Sequence, residues 1–209
     1  MIVRTERKIL FLVLTTEGYK DRQDNIIKTW GKDVDLIFYS EHEDKDRNVL
    51  KVCDENSAEI KQCKILNFLE NYEKKYDWYF FCDDDTFVNV NLLNNKIIDF
   101  TKNSVIGKNI RGCWPTNIDL EYPSGGAGFL IHKSIISKFY NIKSYNTSWS
   151  DVSVGLKMKD ENIEMNNSNL FMWFSYDREF VKLENVDKYI TFHYINTFEK
   201  MNTLYEMCK

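Results

Sequence analysis

Basic charge, proline, histidine and long apolar runs are all scarce in this sequence. Lysine and arginine (28) are outnumbered by aspartate and glutamate (32), leaving a net charge of −4. A nucleic-acid binder needs a basic stripe to meet phosphate, so this balance argues against that class. There are only two prolines, Pro115 and Pro123, with no Pro- or Ser-rich linker and no internal repeat. Residues 1–209 therefore read as one domain. The first apolar run, Ile9 to Leu14, falls far short of the ~20 residues that span a bilayer, and Arg4, Glu6, Arg7 and Lys8 precede it. Neither a signal peptide nor a transmembrane segment is read. The five cysteines (Cys53, Cys63, Cys82, Cys113, Cys208) show no CxxC or Cys/His zinc spacing, and their odd number leaves at least one thiol unpaired.

What is present is apolar and aromatic: 43% hydrophobic residues, with 15% Phe, Trp and Tyr. That fills one core without a disulfide or metal to help. Lys8–Thr15 is a continuous apolar strand, followed by a helix over Asp21–Trp30 and a second strand, Val34–Tyr39. Asn56-Ser57-Ala58-Glu59 is a capped helix start, and Ile60, Cys63, Leu66 and Leu69 carry that helix onward. Trp78–Cys82 is a buried strand ending in Asp83-Asp84-Asp85. A helix over 89–100, strands at 104–107, 110–114 and 129–131, and a helix over 133–140 come next. A helix after Asp151, a strand over 189–194 and a closing helix over 197–209 complete the chain. This alternation predicts an α/β sandwich on a mainly parallel sheet. Ligands in such sheets bind beyond the carboxyl ends of strands, which directs attention to Thr15-Thr16, Ser40-Glu41 and the aspartate triplet.

Adjacent carboxylates repel, and a cation relieves them. Oxygen ligands without a thiolate or imidazole cluster select Mg²⁺ or Mn²⁺. Read alone, Asp85 serves equally as the cap of the following helix. Gly125-Gly126-Ala127-Gly128 offers close backbone approach to a sugar or diphosphate, or a tight turn into a strand; it has neither GxGxxG nor Walker spacing. Asp151 lies where an N-cap is the default, and His193 is a lone histidine in Phe192-His193-Tyr194.

In order along the chain, several segments resemble the Fringe-like β-1,3-glycosyltransferases, including the core 1 galactosyltransferases and the β-1,3-galactosyltransferase group. Asp77–Asn89 (DWYFFCDDDTFVN) resembles their metal-binding segment, and Ser124–Phe129 (SGGAGF) their glycine-rich one. Asp151–Gly155 (DVSVG) looks like the tail of their Glu-Asp-Val-x-x-Gly motif. Tyr189–Tyr194 is similar to a strand ending in Phe-His-Tyr, and Arg22 with Thr29-Trp30 to an early Arg…Thr-Trp helix. Cys53 and Cys63 flank Ser57-Ala58-Glu59 as in a bridged Fringe segment. The resemblance thus implies a Cys53–Cys63 disulfide and maturation in the secretory lumen after removal of an anchor; without the bridge, a cytoplasmic location is the expectation.

The resemblance implies a GT-A fold and inverting transfer of Gal, GlcNAc or GalNAc from a UDP-sugar to a glycan or glycoprotein hydroxyl. Asp83, Asp85 and His193 would hold Mn²⁺, or Mg²⁺, and Asp151 would be the base. Thr15, Thr16, Arg22, Ser40, Asp83 and Asp84 fall to the nucleotide. Gly125, Gly126 and Ala127 fall to the donor sugar, and Trp114, Trp149 and Trp173 to the acceptor. Two other classes stay open at this point. Ser150 stands where the family usually has an acid, which suits a sugar-binding module that has lost turnover, and an aspartate triplet alone also suits metal-dependent phosphoryl transfer.

Overall fold

The computed structural model describes residues 8–32, 34–71, 75–112, 119–178 and 181–209. Its first strands are β1 (Ile9–Leu14), β2 (Asp35–Ser40), β3 (Val49–Lys51), β4 (Trp78–Asp83), β5 (Phe87–Val88) and β6 (Ser104–Gly107). They are followed by β7 (Asn109–Gly112), β8 (Leu120–Pro123), β9 (Phe129–His132), β10 (Glu164–Asn167), β11 (Phe171–Met172) and β12 (Thr191–Phe192). The helices are α1 (Lys20–Lys28), α2 (Ala58–Phe68), α3 (Val90–Lys96), α4 (Lys133–Ile136), α5 (Ser150–Asp160) and α6 (Phe198–Met207).

Seven strands form one sheet in the order β10-β6-β9-β4-β1-β2-β3. Neighbours pair in parallel except around β9, which runs antiparallel to both β4 and β6. Parallel pairing needs crossovers, and α1 and α2 supply them between β1 and β2 and between β3 and β4. Phe11, Val13 and Phe80 join Trp30 and Leu204 in a core on one face. On the opposite face Leu10, Leu12 and Phe81 pack with Tyr39, Leu66 and Phe139. Strands buried on both faces have no polar alternate, which is why ILFLVL and WYFFC read as unbroken apolar runs. Leu14 pairs with Asp83, so β1 and β4 end level and Thr15 arrives beside the triplet.

Elements defined by distant pairing depart most from expectation. The strand expected over 189–194 shrinks to β12. Tyr189 closes a turn onto Val186, its N–H donating to that carbonyl at 3.2 Å, and Tyr194 turns into the left-handed region at φ 59°. The helix expected over 89–100 is α3 plus a 3-10 turn at Ile97–Asp99, and that over 133–140 is α4 plus a 3-10 turn at Ser137–Phe139. Short helices commonly tighten in this way in their last turn. The strand expected over 110–114 is present as β7, paired with β8; Cys113 and Trp114 lie outside the described residues.

The Cys53–Cys63 bridge is corrected: both thiols are free. Cys63 sits on the buried face of α2 with its Sγ 3.8 Å from the Lys143 carbonyl, while Cys53, past β3, donates to the Glu55 carbonyl at 3.2 Å. Each sulfur serves a different neighbour. Burial, with Glu59 nearby, pushes the Cys63 thiol up to about 12, so it is an inert core group.

Candidate active site

A cleft of about 960 Å³ lies over the carboxyl ends of β1 and β4. Thr15, Thr16, Arg22, Asp83, Asp84, Asp85, Gly125, Gly126, Trp149, Asp151, Trp173 and His193 all line it. Residues spread across the sequence therefore share one cavity.

Within the triplet, Asp84 is committed to the protein. Its Oδ2 accepts from Thr15 Oγ1 at 2.7 Å and its Oδ1 from Arg22 Nη1 at 3.0 Å. Gln23 Nε2 donates to the same threonine hydroxyl at 3.1 Å. Burial pushes the Asp84 acid up to about 6, against the opposing pull of Thr15 and Arg22. With both Asp84 oxygens engaged, Asp83 and Asp85 are the carboxylates left to face a ligand, although Asp85 Oδ2 also accepts from Arg22 Nη1 at 3.3 Å.

Asp83, Asp85 and His193 offer ligand atoms that lie within 4.8 Å of one another. His193 Nε2 stands 3.1 Å from Asp85 Oδ1 and 3.8 Å from Asp83 Oδ2. The ring's Nδ1 lies 3.2 Å from the Trp173 carbonyl. A carbonyl only accepts, so Nδ1 carries a proton, and the neutral ring would direct its Nε2 lone pair at the carboxylates. A metal-ligating histidine is oriented in this way, its far ring N–H held by a carbonyl. Two carboxylates and one imidazole fit Mn²⁺. The electrostatics agree. Burial raises the Asp83 acid; His193 opposes this, while Asp85, Asp151 and Asp84 add to it. For His193, burial works against the proton, but the hydrogen bond and charge of Asp85, with Asp83, raise it overall.

Local pairing explains why a residue near the C-terminus meets the triplet. β12 pairs antiparallel with β5, the strand directly after it. The Ile195 N–H donates to the Asp85 carbonyl at 2.8 Å, and the Asn89 N–H to the Ile190 carbonyl at 2.7 Å. Asn89 caps α3 by accepting from the Leu92 N–H at 2.9 Å, so Asp85 is not that helix's cap.

Gly125 and Gly126 join the Asp83–Asp85–His193 trio to Asp151. The Gly125 N–H donates to Asp151 Oδ2 at 3.1 Å, and the Gly126 Cα faces the His193 ring. Asp151 is in the first turn of α5 rather than at its N-cap, which is Trp149. Its Oδ1 accepts from the Val152 N–H at 2.9 Å. Burial raises the Asp151 acid, opposed by those backbone bonds and by the charge of His193.

Some expected positions do not reach the cleft. Ser40 is buried, and its hydroxyl donates to Glu41 Oε2 at 2.8 Å. Ala127 is buried too, its carbonyl accepting from Thr191 Oγ1 at 2.6 Å. Trp114 falls outside the described residues. Trp149 and Trp173 stand at the cleft, 47% and 39% exposed.

Among the cleft residues that the sequence did not point to, Lys61 and Tyr194 make the most specific contacts. Lys61 donates to the Thr15 carbonyl and to Asn56 Oδ1, each at 2.9 Å, and pairs with Glu41. Burial would raise the Glu41 acid, but Lys61, the Thr16 hydroxyl and backbone donors outweigh it and hold the acid far below the carboxylate range. A lysine inside a helix reads as solvent-facing, so the sequence carried no signal for this role. Tyr194 stacks on His193 with ring centroids 3.8 Å apart. Its neighbour drew the attention in Phe-His-Tyr.

Residues 4–206 match the family described as Fringe-like. A solved glycosyltransferase involved in the glycosylation of the major capsid of PBCV-1 superposes with a TM-score of 0.50 at 12% identity, over 93% of this chain and 98% of that one. The apo-form glycosyltransferase GlyE of Streptococcus pneumoniae TIGR4 gives a TM-score of 0.52 at 14% identity over 91% of this chain, which spans 55% of GlyE. At these identities the likeness is one of fold: the α/β sheet is that of GT-A glycosyltransferases.

Proposed function

The chain belongs to the Fringe-like family, and from that premise we propose that it is a divalent-metal-dependent, inverting β-1,3-type hexosyltransferase. Its donor would be a UDP-sugar carrying Gal, GlcNAc or GalNAc, and its acceptor a hydroxyl of a glycan or glycoprotein. One observation carries the reading: a carboxylate–carboxylate–imidazole trio and a separate carboxylate, Asp151, face one cleft and are joined through Gly125-Gly126.

Asp83, Asp85 and His193 would hold Mn²⁺. The chemistry such an ion supplies when bound is neutralisation of the charge developing on the leaving diphosphate. Asp84 keeps Thr15 and Arg22 in place on the nucleotide side. Gly126 lets the His193 ring close on the backbone where any side chain would collide with it. Asp151 accepts the proton of the acceptor hydroxyl as its oxygen attacks the anomeric carbon and the bond to the diphosphate breaks. Burial that raises its acid makes it a stronger base, and a positioned base contributes roughly 10²–10⁴-fold. Trp149, Trp173 and Tyr194 present aromatic faces of the kind that stack on sugar rings.

The test is UDP binding by calorimetry with Mn²⁺ and with EDTA, followed by UDP release from a panel of UDP-sugars with glycan acceptors. The expected result is binding that requires Mn²⁺ and release that requires an acceptor. Equal UDP affinity in EDTA overturns the metal reading, and Mn²⁺-dependent binding without transfer to any acceptor favours a binding module instead.

A further inference from the structure

Glu59 is 3% exposed and lies on α2, which packs against α5. Among the described residues no cation pairs with it. Its charge is met instead by four hydrogen bonds: Oε1 accepts from the Tyr145 N–H at 2.6 Å and from Ser153 Oγ at 2.9 Å, and Oε2 from the Thr147 N–H at 3.0 Å and the Ser148 N–H at 3.3 Å. A buried carboxylate is costly unless its oxygens are satisfied, and plain packing of one helix on another does not require one. Here every donor comes from a single place, the loop before α5 and that helix's first turn.

That loop is conformationally unfavourable. Asn146 and Ser148 both sit in the left-handed region, at φ 57° and 64°. Non-glycine residues stay there only where their surroundings over-determine the backbone, and such positions gather at functional sites. Glu59 supplies that determination directly, since the Ser148 amide is one of its donors. The same cluster reaches on toward the cleft. Thr147 Oγ1 donates to the Trp149 carbonyl at 3.0 Å, and Ser153 Oγ, whose one proton goes to Glu59, lies 3.2 Å from the same carbonyl. Trp149 and Asp151, two residues on, line the cleft.

We propose that Glu59 is a positioning residue: it fixes the 145–149 loop so that Asp151 meets the acceptor. The inference rests on the reading of Asp151 as the base. It assigns to the Ser57-Ala58-Glu59 segment a role in the chemical step, exerted through the loop before α5.

Glu59→Gln keeps the shape but turns an amide N–H₂ toward backbone N–H donors. In the full chain with Mn²⁺, UDP-sugar and acceptor, it should lower kcat by about 10- to 100-fold, the scale of a small misplacement at a reacting centre. Turnover is counted per molecule that binds UDP, which removes any unfolded fraction, and UDP affinity should stay within about twofold. Because Glu59 acts through Asp151, the Asp151→Asn/Glu59→Gln double variant should be no slower than Asp151→Asn alone. Ser153→Ala removes one donor gently and should show a smaller loss in the same direction, a check available if Glu59→Gln folds poorly. The proposal is overturned if Glu59→Gln, or Ser153→Ala in its place, leaves kcat unchanged while Asp151→Asn is slow. It is equally overturned if the Glu59 and Asp151 losses multiply. Near-parent turnover of Asp151→Asn alone identifies a different failure: the base assignment falls, and the role of Glu59 falls with it.

Discussion

A methyl group at Gly126 would stand 2.0 Å from Cε1 and 2.2 Å from Nδ1 of His193. Neither side has room to yield: the Gly126 carbonyl accepts from Thr86 Oγ1 at 2.8 Å, and the His193 N–H donates to the Phe174 carbonyl at 3.3 Å. Gly126→Ala should therefore displace the imidazole and weaken Mn²⁺-dependent UDP binding by about 10–100-fold, the range for loss of a ligand's support; calorimetry against parent protein reads this directly. His193→Ala should fail in the same assay, since it deletes the ligand itself. Asp151→Asn should fail differently: it keeps shape, loses basicity, and should cut kcat by about 10²-fold or more with UDP affinity unchanged. If His193→Ala binds Mn²⁺ like the parent, the histidine is structural.

At the scale of elements, what was legible in the sequence divides by the range of the interactions. β1 and β4 were plain because each is an apolar run closed by polar residues, a purely local pattern. β5, β11 and β12 are two residues each and exist only through pairing with one another, so no periodicity announces them. That pairing nevertheless delivers His193 to Asp85, which is why the Phe-His-Tyr segment could be placed at the site by resemblance and not by period. Ser40 shows the same limit. The rule that ligands sit beyond strand ends chose the right neighbourhood, but burial turned the side chain toward Glu41 and left Lys61 on the cleft. The β5–α3 junction offers a stability test. Asn89 is buried and caps α3, while its backbone N–H donates to the Ile190 carbonyl just before β12. Asn89→Ala loses the side-chain cap, together with the long Nδ2 bond to the Asp187 carbonyl at 3.4 Å, and should cost about 0.5–2 kcal/mol, measured by urea unfolding, with the cleft chemistry retained.

The whole molecule gathers its unfavourable charge in one place. Asp83, Asp84 and Asp151 all hold protons more tightly than ordinary carboxylates, burial being the leading cause for each, and Asp84 is pushed up to about 6. A group whose folded-state pKa is raised stabilises the fold fully below its unfolded value, and that contribution is lost as pH climbs through the folded value. For Asp84 the window runs from its ordinary 3.8 to about 6. His193, raised through Asp85 despite the opposing effect of burial, acts in the same direction at higher pH. Glu41 and Asp77, held low by Lys61 and Lys133 against burial, contribute with the opposite sign, but only below the ordinary carboxylate range. Between pH 5 and 8 the cleft groups therefore decide the slope, and metal-free protein should melt at a lower temperature at pH 8 than at pH 5. Mn²⁺ competes with protons for the same carboxylates and needs His193 deprotonated. Added Mn²⁺ should thus raise the melting temperature more at pH 8 than at pH 5, flattening or reversing the metal-free trend. Thermal scans at both pH values, with Mn²⁺ and with EDTA, check it. A Mn²⁺ shift of equal size at both would mean that the ion binds somewhere other than the carboxylates whose burial sets the slope.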